Sequence, residues 1–256
     1  FATPVAEGEE EVDEYIPTPK AENVAVELEA HGIAVVEIQR DENGAWSAVL
    51  DSPYNRRVTA TTETLVTGPA AGADMMKTSA DDTGTKVIGT LNNCSGGLTP
   101  WGTFVSCEEN FDQYFGNKAT LNEEDPALAL HDRIALPEAA SERQWEAFVD
   151  RFDVTKEPNE AFRFGWTVEI DPYDPSLQPK KRTAMGRFKH EAVNLVVAPD
   201  GRIVVYSGDD ARFEYVYKFV STNAFNADDR AANVDLLDEG TVYVAVFSED
   251  DTGSWV

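Results

Sequence analysis

Leu195-Val196-Val197-Ala198-Pro199-Asp200-Gly201-Arg202-Ile203-Val204-Val205-Tyr206 is the stretch that decides the fold class. Two short aliphatic and β-branched runs flank Pro199-Asp200-Gly201. Proline presets φ for a turn and glycine supplies the positive φ that other residues resist, so the pattern predicts a β-hairpin. Working outward, Glu214–Val220 is rich in aromatic and β-branched residues and reads as a strand, as does Thr241–Phe247. Upstream, Ile33–Ile38, the turn Asp41-Glu42-Asn43-Gly44 and Trp46–Leu50 form a second predicted hairpin. Arg163–Ile170 and Thr103–Cys107 are further candidate strands. Many short strands separated by turn signals predict a mainly β fold: a sandwich, barrel or propeller. No clean internal repeat selects among these.

Two segments predict helix. Asn23–Ala30 is one, with His31 in its last turn and Gly32 in the C′ position. The other opens on a capping box, Ser141-Glu142-Arg143-Gln144. Trp145, Phe148, Val149 and Phe152 follow at helical spacing, as a stripe to pack on a sheet. Residues 117–160 otherwise read as an acidic, partly helical insertion with Glu123-Glu124-Asp125-Pro126 as its loop. Residues 1–20, rich in Pro and Glu, read as an extended arm. The whole of 1–256 reads as one β-rich unit.

Forty-seven Asp and Glu against 21 Lys and Arg leave a net charge of −26. Such a field repels phosphate backbones and anionic headgroups, which argues against nucleic-acid and membrane-surface partners. No apolar run approaches the ~20 residues that span a bilayer. Phe1-Ala2-Thr3-Pro4 leads into the acidic run Glu7–Glu14 and reads as a mature or trimmed amino terminus. The two cysteines, Cys94 and Cys107, are too few for a disulfide framework. The excess acid favours solubility, and it also offers oxygen ligands to hard cations.

Four segments carry more polar specificity than a scaffold requires. Asn92-Asn93-Cys94-Ser95-Gly96-Gly97 combines amide oxygens and a thiol with glycines that allow close backbone approach. Cys107-Glu108-Glu109-Asn110 places two carboxylates at a strand end, where successive side chains alternate and at most one faces a shared cavity. Arg187-Phe188-Lys189-His190-Glu191 offers Glu191 as a ligand, with His190 as its supporting partner. Gly208-Asp209-Asp210 follows a strand with two oxygen ligands suited to calcium. No EF-hand, P-loop, G-x-S-x-G, H-E-x-x-H or C-x-x-C pattern is present.

Together these segments resemble the PhoX family of bacterial alkaline phosphatases. The resemblance rests on Asp51–Thr59, Thr67–Gly72, Gly89–Cys94 through Asn110-Phe111, Arg163–Pro172, Lys181–Glu191 and Gly208–Val220, in family order from about residue 30 onward. It implies a six-bladed β-propeller-like architecture with helical insertions. It implies export, usually by the twin-arginine route, to the periplasm, cell surface or medium. It implies a cluster of two ferric ions and three calcium ions joined by an oxo group. The activity implied is release of inorganic phosphate from phosphate monoesters by a metal-bound oxygen nucleophile. Carried over residue by residue, Cys94 corresponds to an iron ligand, Glu109 (or Glu108) and Glu191 to further ligands of the catalytic cluster, and Asp209 and Asp210 to calcium ligands. Ser95 departs from the alanine usual after the Asn-Asn-Cys run.

Three expectations follow. Cys94 binds metal and forms no bridge to Cys107. Glu109, Glu191 and one of Asp209 or Asp210 converge on one cavity. The chain is an amino-terminal part of a larger propeller: the resemblance continues to Val256, and the Asp-Arg-Pro-Glu run of the family is absent, so a carboxy-terminal part of the same enzyme is the expected partner. Two rival readings stay open: a calcium-stabilised propeller acting as a non-catalytic binding or scaffold protein, and a related phosphodiesterase.

Overall fold

The structure is a computed structural model and describes residues 19–256, so most of the expected amino-terminal arm lies outside the described residues. The chain opens with α1 (Ala21–Ala30), whose Val24 and Leu28 face the core, and Gly32 follows at φ 95°. Here β1 (Ile33–Val35) and β2 (Ile38–Arg40) replace the single expected strand. They serve different partners: β2 pairs with β3 (Trp46–Ala48), as expected for the hairpin, while β1 pairs with β4 (Arg56–Val58).

A six-stranded sheet follows, built from β5 (Glu63–Thr67), β6 (Lys86–Ile88), β7 (Asn93–Leu98), β8 (Phe104–Glu108), β9 (Thr167–Ile170) and β10 (Lys180–Arg182). Its order is β6-β5-β10-β9-β8-β7, antiparallel except where β10 runs parallel to β5. A second sheet is a five-stranded antiparallel meander: β11 (Asn194–Val197), β12 (Arg202–Gly208), β13 (Val216–Ala224), β14 (Gly240–Phe247) and β15 (Gly253–Trp255). The hairpin read from Leu195–Tyr206 is β11 and β12. The fold is thus mainly β. The two sheets meet over a core of Val105 and Cys107 from β8, Ile203 and Val205 from β12, and Phe219 from β13. Gly97 permits this approach: a Cβ there would lie 2.8 Å from both the Val193 carbonyl oxygen and Leu195 Cδ1.

The segment between β8 and β9 corrects one expectation. The chain after the Ser141 capping box forms 3₁₀ turns, Trp145–Ala147 and Asp150–Phe152, rather than one α-helix. Ser141 does accept from the Gln144 N–H at 2.8 Å, but Gln144 then turns left-handed at φ 53°. Glu146 reaches back to take the Ser141 N–H and hydroxyl at 2.7 and 2.6 Å, which satisfies that end without a continuing helix. The expected loop at Glu123–Asp125 forms and leads into a short helix, α2 (Pro126–Arg133), with Asp125 accepting from the Ala127 N–H at 2.8 Å and proline in its first turn. Nor is this segment a surface appendage. Trp145 and Phe152 are fully buried and pack with Phe115 and Phe164.

Beneath the six-stranded sheet, buried charges tie its strands together. Glu108 and Lys181 are both fully buried and lie 2.8 Å apart. Lys181 also donates to the Arg163 carbonyl at 2.9 Å and sits 3.7 Å from the centroid of the Phe164 ring. Burial pushes its ammonium down to about 8 even with Glu108 alongside. Lys181→Met strands the Glu108 charge in the core, and denaturant unfolding is expected to show a loss of about 3–5 kcal/mol. The double variant Glu108→Gln/Lys181→Met recovers part of that loss. Additive losses would show that the two side chains do not act as a pair.

Candidate functional site

Four separate segments come together at one end of β7, β8 and β12, and main-chain hydrogen bonds lace them. The Glu109 N–H donates to the Asn92 carbonyl at 3.1 Å, and the Ser95 N–H to the Glu191 carbonyl at 3.0 Å. The His190 N–H donates to the Glu108 carbonyl at 3.2 Å, and the Asp210 N–H to the Lys189 carbonyl at 3.1 Å. Residues remote in sequence become neighbours because backbone groups, which must be paired where water is excluded, find their partners across these segments.

Alternation along β8 decides between the two glutamates. Glu108 points inward and is fully buried. Its Oε1 accepts from Thr90 Oγ1 (2.8 Å), the Leu91 N–H (3.1 Å) and Lys181, and its Oε2 from the Gly165 and Trp166 N–H groups (3.0 and 3.2 Å). That carboxylate is fully occupied as an internal anchor. Glu109 follows on the opposite side, 9% exposed, with its carboxyl beside the Cys94 thiol and the Asp210 carboxyl. Its Oε1 also accepts from Asn110 Nδ2 at 2.6 Å.

Electrostatics mark the cluster. Burial, with the Asp210 carboxyl alongside, raises the Glu109 carboxyl above the usual carboxylate range. Burial likewise raises the Cys94 thiol, and the carboxyls of Glu109 and Glu191 add to the rise. Cys94, Glu191 and Asp210 are exposed, so the cluster opens outward. Asp209 is half-buried and stands apart, its carboxyl raised by burial and by Glu214. Both aspartates border a cavity of about 810 Å³ whose apolar wall includes Met75, Phe162 and Phe188. His190 does not support Glu191 as expected, because both of its ring nitrogens are engaged elsewhere. It is fully buried between Ser207 Oγ and the Gly186 carbonyl, each 3.0 Å from a ring nitrogen, and burial holds it down to about 4.

The donor set fits a cation in its chemistry. One thiol and several carboxyls crowd together, and their mutual repulsion is what a bound cation relieves. The donors are gathered rather than closed on a point: among the described residues, no group of three or more His, Cys, Asp and Glu side chains converges as a cation site.

Sequence reasoning missed the cations at this site. Arg133, Arg187, Lys189 and Arg212 line the same 810 Å³ cavity in a protein of net charge −26. Lys189 pairs with Asp112 at 3.0 Å and Arg133 with Glu214 at 2.8 Å. Lys189 and Arg212 stand two to three residues from the acidic ligand candidates, and that adjacency was the available signal.

The two thiols remain unbridged and differ sharply in setting: Cys94 is exposed and Cys107 fully buried. In chelator-stripped native protein, iodoacetamide is expected to label one thiol per chain, and Cys94→Ala to abolish the labelling. Labelling of Cys107 before unfolding would contradict this placement.

The chain is similar to the solved structure of Pseudomonas fluorescens PhoX in complex with vanadate, a transition state analogue. Identity is 47%, the TM-score is 0.86, and the match covers 93% of this chain and 42% of that one. The chain therefore spans less than half the length of that relative. No curated protein matches significantly. The profile of the family described as Alkaline phosphatase PhoX matches residues 7–256, and the chain belongs to that family.

Proposed function

We propose that this chain forms part of the active site of a metal-dependent phosphomonoesterase that releases inorganic phosphate from organic phosphate esters. The observation that carries the reading is the lacing of Asn92–Ser95, Glu108–Asn110, Lys189–Glu191 and Asp209–Asp210, which gathers a thiol and several carboxyls at one outward-facing place. The relative's complex with vanadate, a transition state analogue, supports phosphoryl chemistry.

Roles follow from donor chemistry. Cys94 supplies a soft thiolate suited to iron, while Glu109 and Glu191 supply hard oxygens for iron or calcium. Asp210, with Asp209 behind it, supplies oxygens for calcium. Bound iron and calcium would set positive charge against the phosphoryl oxygens of the ester. The chain's own cations act at longer range. Lys189, Arg133 and Arg212 draw an anionic ester toward a protein whose overall field repels it. Glu108 takes no part in metal binding; with Lys181 it fixes the direction in which Glu109 leaves the sheet.

The proposal extends to the fold and setting. The two sheets serve as blades of a six-bladed propeller, a further carboxy-terminal segment completes the metal shell, and the enzyme works outside the cytoplasm. The 42% share of the relative that this chain covers supports the second of these points.

In the full-length protein, Cys94→Ala is expected to remove iron and to lower turnover of a phosphate monoester by at least about 100-fold. Cys107→Ala should cost only stability, on the order of 1–3 kcal/mol. Iron content by elemental analysis, with monoester and diester assayed side by side, checks both. A Cys94→Ala protein with full iron and full turnover overturns the reading. Calcium without iron or turnover in the wild type would point to a scaffold, and faster diester hydrolysis to a phosphodiesterase.

A further inference from the structure

A chain of side-chain hydrogen bonds leads from the end of α1 to the candidate site. Asn92 Nδ2 donates to Tyr114 Oη at 3.0 Å, and Tyr114 Oη lies 2.8 Å from His31 Nε2. His31 Nδ1 lies 2.6 Å from the Glu27 carbonyl oxygen. The directions are set by what each atom can do. A carbonyl only accepts, so Nδ1 carries the ring proton. Nε2 of the neutral ring then accepts, and the Tyr114 hydroxyl points its proton there while receiving the Asn92 amide. Burial holds His31 below its ordinary value and favours this neutral form.

The far end of the chain is Asn92, held left-handed at φ 46°. Asn92 presents two acceptors to the segment that carries Glu109: its carbonyl to the Glu109 N–H (3.1 Å) and its Oδ1 to the Asn110 N–H (3.2 Å). With Nδ2 committed to Tyr114, the amide cannot flip without breaking both side-chain bonds. Tyr114 is 2% exposed, and its ring is clamped by His31 at 5.1 Å and Trp145 at 4.6 Å between centroids. Trp145 is in turn bonded to Glu27 at 2.6 Å, on the same turn of α1 that holds His31.

We infer that His31 and Tyr114 are positioning residues: through the amide of Asn92 they hold the Asn92–Cys94 run and Glu109 in the mutual arrangement that the metal site requires. The inference rests on the metal reading above for its function and on hydrogen bonds alone for its geometry. The side-chain hydrogen bonds of His31 and Tyr114 run to Glu27, to each other and to Asn92, so their effect travels through Asn92. Outer partners of this kind typically tune metal affinity by about 10–100-fold.

The test uses the full-length protein and four variants. Tyr114→Phe keeps the ring and removes the hydroxyl. His31→Leu removes the acceptor, and His31→Gln restores one. Thr64→Val breaks an unrelated side-chain bond at a fully buried position, from Thr64 Oγ1 to the Thr62 carbonyl, as a control for general destabilisation. Two readouts are taken: iron retained against a competing chelator, and hydrogen exchange of the Glu109 and Asn110 amides in metal-free protein. Tyr114→Phe and His31→Leu are expected to retain iron about 10–100-fold more weakly and to exchange these two amides faster. His31→Gln and Thr64→Val should stay near wild type in both. Unchanged iron retention and exchange in Tyr114→Phe overturns the inference, as does an equal change in Thr64→Val. If the wild type binds no iron, the metal reading fails by itself, and the exchange rates still decide whether the hydrogen-bond chain holds Asn92.

Discussion

Glu108 accepts five hydrogen bonds in a place that water does not reach, and the six-stranded sheet is organised around that carboxylate. The donors come from Thr90 and Leu91 ahead of β7, from Gly165 and Trp166 ahead of β9, and from Lys181 on β10. One side chain therefore joins three segments spread along the chain from Thr90 to Lys181. A buried carboxylate is costly unless every lone pair is used, and here the requirement is met from several directions at once. Strand alternation does the rest. With Glu108 anchored inward, Glu109 leaves the sheet on the other side, toward Cys94 and Asp210.

The same constraint accounts for what was legible in the sequence. Hairpin β11–β12 was readable because proline, aspartate and glycine sit between two apolar runs, and local turn chemistry decides such pairings. The site was readable as four polar segments, and alternation already required that Glu108 and Glu109 diverge. Which of the two points inward was not readable, because the answer lies in Lys181 and in the main chain of Gly165 and Trp166, all distant in sequence. The helix expected after Ser141 failed for a related reason. Its cap formed, but Glu146 and the burial of Trp145 and Phe152 favoured 3₁₀ turns over a continuous helix. Tertiary packing outweighed a local signal that was itself read correctly. The split of Ile33–Ile38 into two strands with different partners also left no local mark.

Charge is arranged rather than merely abundant. A net charge of −26 suggests a uniformly acidic surface, yet the cavity beside Asp209 and Asp210 gathers Arg133, Arg187, Lys189 and Arg212. Acidic and basic side chains therefore stand together around that cavity. The raised Glu109 carboxyl and Cys94 thiol follow from crowding like groups in a partly dry setting, the condition that a cation relieves.

The central claim is that Glu109, and not Glu108, meets the metal together with Cys94, while Glu108 stays on Lys181. Anomalous diffraction at the iron edge from crystals of the full-length enzyme tests this directly. The account expects an iron peak within bonding reach of Cys94 Sγ and a Glu109 carboxyl oxygen, with Glu108 still hydrogen-bonded to Lys181. An iron peak ligated by Glu108, or one remote from Cys94, would contradict it.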